Sequence, residues 1–173
     1  MSKLTKYIAD KLIQRAKRTP YKHLDGYMNR WWLFNPYQDS TGAPVKRNWL
    51  LRMLPSVRIH QILKADDDRH LHDHPWDART VILKGWYDEI REEIYPEYGP
   101  TESAMMAFGV PVRMHHRVAG DTVKLNFGEY HRITRVSAGG VFTLFITYRY
   151  RGTWGFKVHG KKIPYFDYLA GKE

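Results

Sequence analysis

The sequence contains no cysteine. Disulfides, thiolate metal ligands and a cysteine nucleophile are thereby excluded. No apolar run approaches the ~18 residues that mark a candidate membrane span. Residues Met1 to Pro20 are charged throughout, without the apolar stretch and small-residue cleavage site of a secretory signal. The expectation is a cytoplasmic protein that makes no use of a membrane. Acidic residues are scarce in one region only. Residues 1–64 hold 13 Lys/Arg against 3 Asp/Glu, and residues 65–173 hold 15 of each. The whole formal charge of +10 therefore belongs to the N-terminal third. Such asymmetry suits an anionic partner, with nucleic acid one candidate; a merely solvated basic face is the other reading, because no nucleic-acid motif accompanies the charge. A phosphate-binding glycine loop, a nucleophile elbow and a His-Glu-x-x-His zinc motif are all missing.

What is present suffices for a core. Hydrophobic residues make up 43% and aromatics 14%, in a length that suits one domain. Residues 2–18 have helical spacing, with Leu4, Tyr7, Ile8 and Leu12 as the expected apolar face and Ser2 as the cap. Pro20 disfavours helix at Thr19, so the helix should end near Arg18. This helix is expected to pack on the domain or on a second subunit, giving a homodimer. Residues 27–37 are densely aromatic, which serves core packing or a dimer contact more often than base stacking. From residue 49 the pattern turns to β, with strands expected at 57–64, 69–74, 79–90, 104–109, 112–118, 121–127, 131–136 and 141–150. Three stretches follow: a basic helix and aromatic extension (1–48), a barrel (49–150) and a tail packed on it (151–173).

Chemistry concentrates in Arg69-His70-Leu71-His72-Asp73-His74-Pro75-Trp76-Asp77. On a strand, residues i, i+2 and i+4 share a face, so His70, His72 and His74 can project together while Asp73 faces away. Imidazole suits borderline divalent metals. A fourth histidine, His131, ends the segment from Gly120 to His131.

These two segments resemble the paired motifs of the cupin superfamily. Gly120, Gly128 and His131 fit the second motif, with Asn126 where the family usually has proline. In the first motif, His72 and His74 give the correct spacing to Gly85 but place Ala78 in the carboxylate slot. Taking His70 and His72 places Asp77 there, and Gly85 then falls one residue late. The resemblance implies a mainly β fold, a double-stranded β-helix (jelly-roll barrel) with an N-terminal helical extension. Small uncharacterised cupin-like proteins of bacteria and phages are similar over most of the chain, sharing Asp66 to Asp77 and Trp154-Gly155-Phe156.

The preferred metal set is His72, His74 and His131, with Asp77 a possible added carboxylate. It resembles the three-histidine iron centre of cysteine dioxygenase-like cupins. The implied cofactor is a divalent metal, Fe(II) first, with Zn, Mn or Ni as alternatives, and the implied activity is oxygen chemistry on an anionic small molecule or modified nucleotide. A barrel that only binds a nucleotide or other anion is the competing reading. Arg58, Arg149 or Arg151 would neutralise the ligand, and Tyr130 or Tyr148 would assist proton transfer. His60 is expected to share an inward face with Arg58. Trp154 belongs to a segment, 148–154, expected to cross the pocket mouth. Asp66 to Asp68 read as a turn capping backbone amides or pairing with Arg69, and Asp88 to Glu97 as a solvated hairpin.

Overall fold

The computed structural model describes residues 2–93 and 110–171. Two antiparallel sheets face one another. The first has five strands: β1 (Met28–Phe34), β2 (Ser56–Ile62), β4 (Trp76–Lys84), β7 (Thr122–Leu125) and β9 (Val141–Tyr150), in the order β1-β2-β9-β4-β7. The second has β3 (Leu71–His72), β5 (Trp86–Glu92), β6 (Val112–Val118), β8 (His131–Val136), β10 (Gly155–Val158) and β11 (Lys161–Pro164), in the order β11-β10-β3-β8-β5-β6. Helices α1 (Lys3–Ala16), α2 (Trp49–Met53) and α3 (Tyr165–Leu169) lie outside the sheets. The expected β architecture with an N-terminal helix is therefore present, and the strands expected at 112–118, 131–136 and 141–150 match β6, β8 and β9. The strand expected at 104–109 falls outside the described residues.

The long strand expected over 79–90 is two strands, divided at Gly85. That residue has φ of +82°, which L side chains rarely adopt. A Cβ there would also stand 2.6 Å from Ser137 Oγ and 2.9 Å from the Gly140 carbonyl oxygen. The strand expected over 69–74 shrinks to Leu71–His72, because residues 73–75 leave the ladder.

Two segments outside the expected barrel supply strands to it. β1 pairs with β2 from Met28↔Ile62 to Phe34↔Val57. Its adjacent Trp31 and Trp32 are both buried, one towards α1 and Ile59, the other against Tyr21, Tyr37 and Arg58. The tail supplies β10, which pairs with β3.

α1 starts at Ser2, whose Oγ accepts the Thr5 N–H at 3.2 Å. Its buried face is Ala9, Ile13 and Ala16 at i, i+4 and i+7, set against Trp31, Ile59 and Leu83. This corrects the expected face: Leu4, Tyr7 and Ile8 are exposed. Small alanines allow close approach to the bulky Trp31, which the larger side chains do not. Among the described residues, no helix is long and apolar enough to cross a membrane.

Candidate metal centre

β3 and β8 pair at a single register position, His72 opposite His131. His74, two residues beyond the end of β3, turns back to join them. Their ligating nitrogens all lie within 4.8 Å of one another. His74 Nε2 and His131 Nε2 are 2.9 Å apart. Two nitrogens held 2.0–2.1 Å from one ion at a right angle would stand about 3 Å apart. The donor set thus fits a divalent metal, with His72 the third imidazole of the group. Burial, with the neighbouring His131, pushes the His72 imidazole down to about 4, against a partial rise from Asp66. Burial, then repulsion between its own protonated form and His131, His72 and Arg58, depresses His74 well below its ordinary value. Both are therefore neutral at pH 7, the state in which imidazole ligates.

Behind the triad stand two carboxylates. Glu89 on β5 is fully buried, and its Oε2 lies 3.1 Å from His131 Nδ1. That contact assigns the proton to Nδ1 and leaves Nε2 for the cavity. Glu89 also accepts from Arg117 Nε at 2.8 Å and faces Arg91 at 3.7 Å. Burial raises its pKa, but the His131 bond and the arginines outweigh it and hold the carboxyl at about 2. Asp66 Oδ2 lies 3.8 Å from His72 Nδ1, too far for a hydrogen bond. Instead it accepts the Ile133 N–H at 2.7 Å, while Oδ1 accepts from the Tyr27 hydroxyl.

The triad opens into a cavity of about 490 Å³ between the sheets. From the opposite sheet, Arg58 and His60 on β2 and Thr143 and Phe145 on β9 line it. Arg58 and His60 do share an inward face, as the alternation along β2 requires. Arg58 is 2% exposed, and its guanidinium lies among the Trp76 and Phe145 rings (both 5.1 Å), Trp32 (5.4 Å) and Tyr37 (5.6 Å). Its single hydrogen bond among the described residues goes to the Tyr37 hydroxyl at 2.9 Å. Among the described residues, Nε and Nη2 of Arg58, and Nε2 of His60, have no hydrogen-bond partner. Arg30 lines the same cavity, with its guanidinium 4.2 Å from the Tyr21 ring centre. Among the described residues no carboxylate pairs with Arg30 or Arg58. Burial, then the two arginines, drives His60 well below its ordinary value.

Other expected site residues stand elsewhere. His70 bonds the Tyr168 hydroxyl at 3.0 Å, which leaves His74 to complete the pair with His72. Asp77 does not join the triad: its Oδ1 accepts the Phe127 N–H at 3.2 Å and Oδ2 faces Arg151 at 3.8 Å. Tyr130, next to His131, points the other way, into Leu71 and Val110 and beneath the Lys157 ammonium. Arg149 and Arg151 are solvent-exposed and line no described cavity. Trp154 does line the cavity, 6.2 Å from His72. Asp73 faces away from the histidines, accepting from the Gly155 N–H at 2.7 Å and Lys162 Nζ at 2.6 Å. The expected solvated hairpin is overturned at Asp88 and Glu89, both buried; Glu89 sits on the inner face of β5 beside His131. The amide-capping role expected at Asp66 is present, in its bond from the Ile133 N–H, whereas sequence reasoning misses Glu89 and Thr143. Only the spacing from strand to strand, invisible in a linear pattern, brings them to the site.

No protein-family model matches the chain, and no curated protein matches it in sequence. Solved structures do match. A point mutant of Bacillus subtilis oxalate decarboxylase superposes with a TM-score of 0.51 at 13% identity, over 90% of this chain and 32% of that one. Lactobacillus farciminis oxalate decarboxylase in its formate complex gives 0.50 at 15% identity, over 88% and 35%. The fold is that of a cupin. This cupin barrel spans about a third of the length of those enzymes, and at such identity the likeness concerns the fold.

Proposed function

We propose that this cupin is a metal-dependent protein acting on an anionic small molecule, with Fe(II) held by His72, His74 and His131. One observation carries the reading: three imidazoles converge within 4.8 Å at a cavity whose far wall is a buried arginine with unpaired donors. When bound, Fe(II) supplies a Lewis-acidic, redox-active centre with positions left open to ligand. Three neutral ligands leave its +2 charge uncompensated, which favours an anion beside it. The remaining work falls to the chain's own groups. Arg58 offers Nε–H and Nη2–H to an anionic oxygen, a pairing for which guanidinium geometry is suited. Leaving such donors buried and unpaired costs about 1–3 kcal/mol each, and an anion relieves that cost. Arg30 adds positive potential. Phe145, Trp76 and Trp154 keep water from the anion and strengthen its attraction to Arg58. Glu89 fixes the orientation and tautomer of His131.

A second reading has its own support. Neither Tyr130 nor Arg149 reaches the cavity, and the Tyr27 hydroxyl that does is bonded to Asp66. With both expected proton-transfer groups away from the cavity, the imidazole of His60, unpartnered at Nε2 among the described residues, is left as the candidate for that role, and its failure to act would leave binding without turnover. Metal analysis by mass spectrometry on untagged protein tests the leading reading. The expected result is about one ion per chain, lost in His72→Ala and in His131→Ala. Absence of metal after anaerobic reconstitution with Fe(II), Mn(II), Zn(II) and Ni(II) would sink it. Oxygen consumption by the Fe(II)-loaded protein, present or absent with bound anion, then decides between turnover and binding.

A further inference from the structure

A second cavity, of about 460 Å³, lies beside the first. Tyr21, Trp76 and Trp154 line both, so one wall of aromatic side chains passes from the histidine site into this cleft. The cleft's outer part comes from the C-terminal segment. The Tyr165 ring stacks on Trp154 with centroids 4.8 Å apart and planes 2° from parallel. Phe166 stands edge-on to Tyr165 at 5.6 Å and is 54% exposed. Tyr150, at the end of β9, lines the cleft and is 66% exposed. Large exposed aromatics gathered at one opening leave π-faces available to a planar guest. The charge lies inward: Arg58 is 5.1 Å from Trp76, on the cavity side of the shared wall.

We infer that the cleft is a second subsite of the same ligand site, taking a planar aromatic ring whose anionic group reaches Arg58. This deepens the anion-binding reading of Arg58 and rests on it; it does not require the metal. Three observations select this occupant. Together the cavities approach the upper end of the ~300–1,000 Å³ usual for ligand pockets, far more than a small carboxylate fills. Their lining divides into an aromatic outer part and a charged inner part, matching a ring at one end and an anion at the arginines. Arg58 and Arg30 stand on the side of the shared aromatic wall, and Asp66 to Asp68 belong to a separate loop. Trp154 connects the parts physically, 6.2 Å from His72 and stacked on Tyr165. A ring between the exposed Tyr150 and Phe166 would find edge and face contacts on two sides. Two chemical sources carry this pattern: an arylcarboxylate and a nucleoside monophosphate.

Calorimetric titration distinguishes them. The probes are indole-3-acetate and AMP as ringed anions, acetate and inorganic phosphate as ringless anions, and adenosine as a ring without the charge. The expected result is at least ten-fold tighter binding of one ringed anion than of its ringless counterpart and of adenosine. Which ringed anion wins names the source. Tyr150→Ala and Phe166→Ala, both at exposed positions, should bring that ringed anion to within about two-fold of the ringless one. Metal content and melting temperature should stay unchanged in both. Equal affinity for ringed and ringless anions, or full ringed-anion affinity in both variants, would overturn the subsite while leaving the anion reading intact. Adenosine binding as tightly as AMP, with neither acetate nor phosphate detected, would overturn the anion reading and the inference with it. Metal stoichiometry from the same samples reports separately on the triad.

Discussion

Glu89 holds His131 across 3.1 Å from a position with no solvent exposure. A buried carboxylate in that place orients the ring and raises its basicity towards an ion, and loss of such a partner typically costs 10–100-fold in metal affinity. Glu89→Gln should therefore bind metal one to two orders of magnitude more weakly while keeping its stoichiometry. Asp66→Asn should weaken it by less than about three-fold, because Asp66 makes no hydrogen bond to His72 and its main partner is the Ile133 N–H. Competitive titration against a chromophoric chelator measures both. Equal losses would mean that the two carboxylates act through general electrostatics and not through the His131 bond.

Acid should destabilise the metal-free protein in two steps. His72 has its folded pKa depressed from 6.5 to about 4 by burial. Below pH 6.5 the unfolded chain takes a proton that the folded one refuses, so stability falls as pH drops from 6.5 towards 4. At about 1.4 kcal/mol per unit, this one residue contributes a loss of roughly 3 kcal/mol, and His60 and His74 shift in the same direction. Glu89 acts lower. Its folded carboxyl titrates at about 2 against an ordinary value of 4.5, so its contribution is intact above 4.5 and lost towards 2. Urea titrations at half-unit pH steps should show the first decline beginning near pH 6.5. A flat profile between pH 7 and 4.5 would contradict neutral buried histidines.

Gly85 separates β4 from β5 where a positive φ and a close contact coincide. Gly85→Ala meets backbone strain and an overlap with Ser137 Oγ, each worth about 1–3 kcal/mol. Gly128, also at positive φ, has open space around its missing Cβ. Gly128→Ala should then cost only the backbone part. Equilibrium unfolding of the two variants checks the ordering, and a smaller loss at Gly85 than at Gly128 would refute it.

The barrel and the triad were legible because both depend on local pattern. Alternation along β6, β8 and β9 survives in any β packing, and His72 with His74 is a short-range spacing. Arg58 and His60 followed from the same period of two. Glu89 was not legible, because Asp88, Glu89, Glu92 and Glu93 read as a solvated acidic run. The burial of Glu89 rests on Arg117, Arg91 and His131, contributed by the same strand and two others. Tyr130 was misassigned through its nearness to His131 in sequence, although neighbours in an extended chain face opposite sides. The apolar face of α1 was misplaced because the most hydrophobic residues are not those that fit against Trp31.

Arg58 offers the sharpest separation of function from stability. Its guanidinium is buried among five rings, and among the described residues a single hydroxyl bonds it. Attraction to aromatic faces returns part of the desolvation cost, yet two donors remain unpaired. A buried charge held so incompletely is commonly replaced by an apolar side chain of similar length at no loss, or with a gain of about 1–4 kcal/mol. Arg58→Met should therefore melt at the same temperature as the wild type or higher. Removing the charge should also free His60 from the cation that depresses it most and raise its imidazole pKa, which NMR titration can follow. Anion binding, by contrast, should fall by at least ten-fold, since no other described cation presents unpaired buried donors to the cavity. A variant that is both less stable and unaltered in anion affinity would make Arg58 a structural residue. Stability kept with affinity lost would show that the barrel bears this unpaired cation for its ligand.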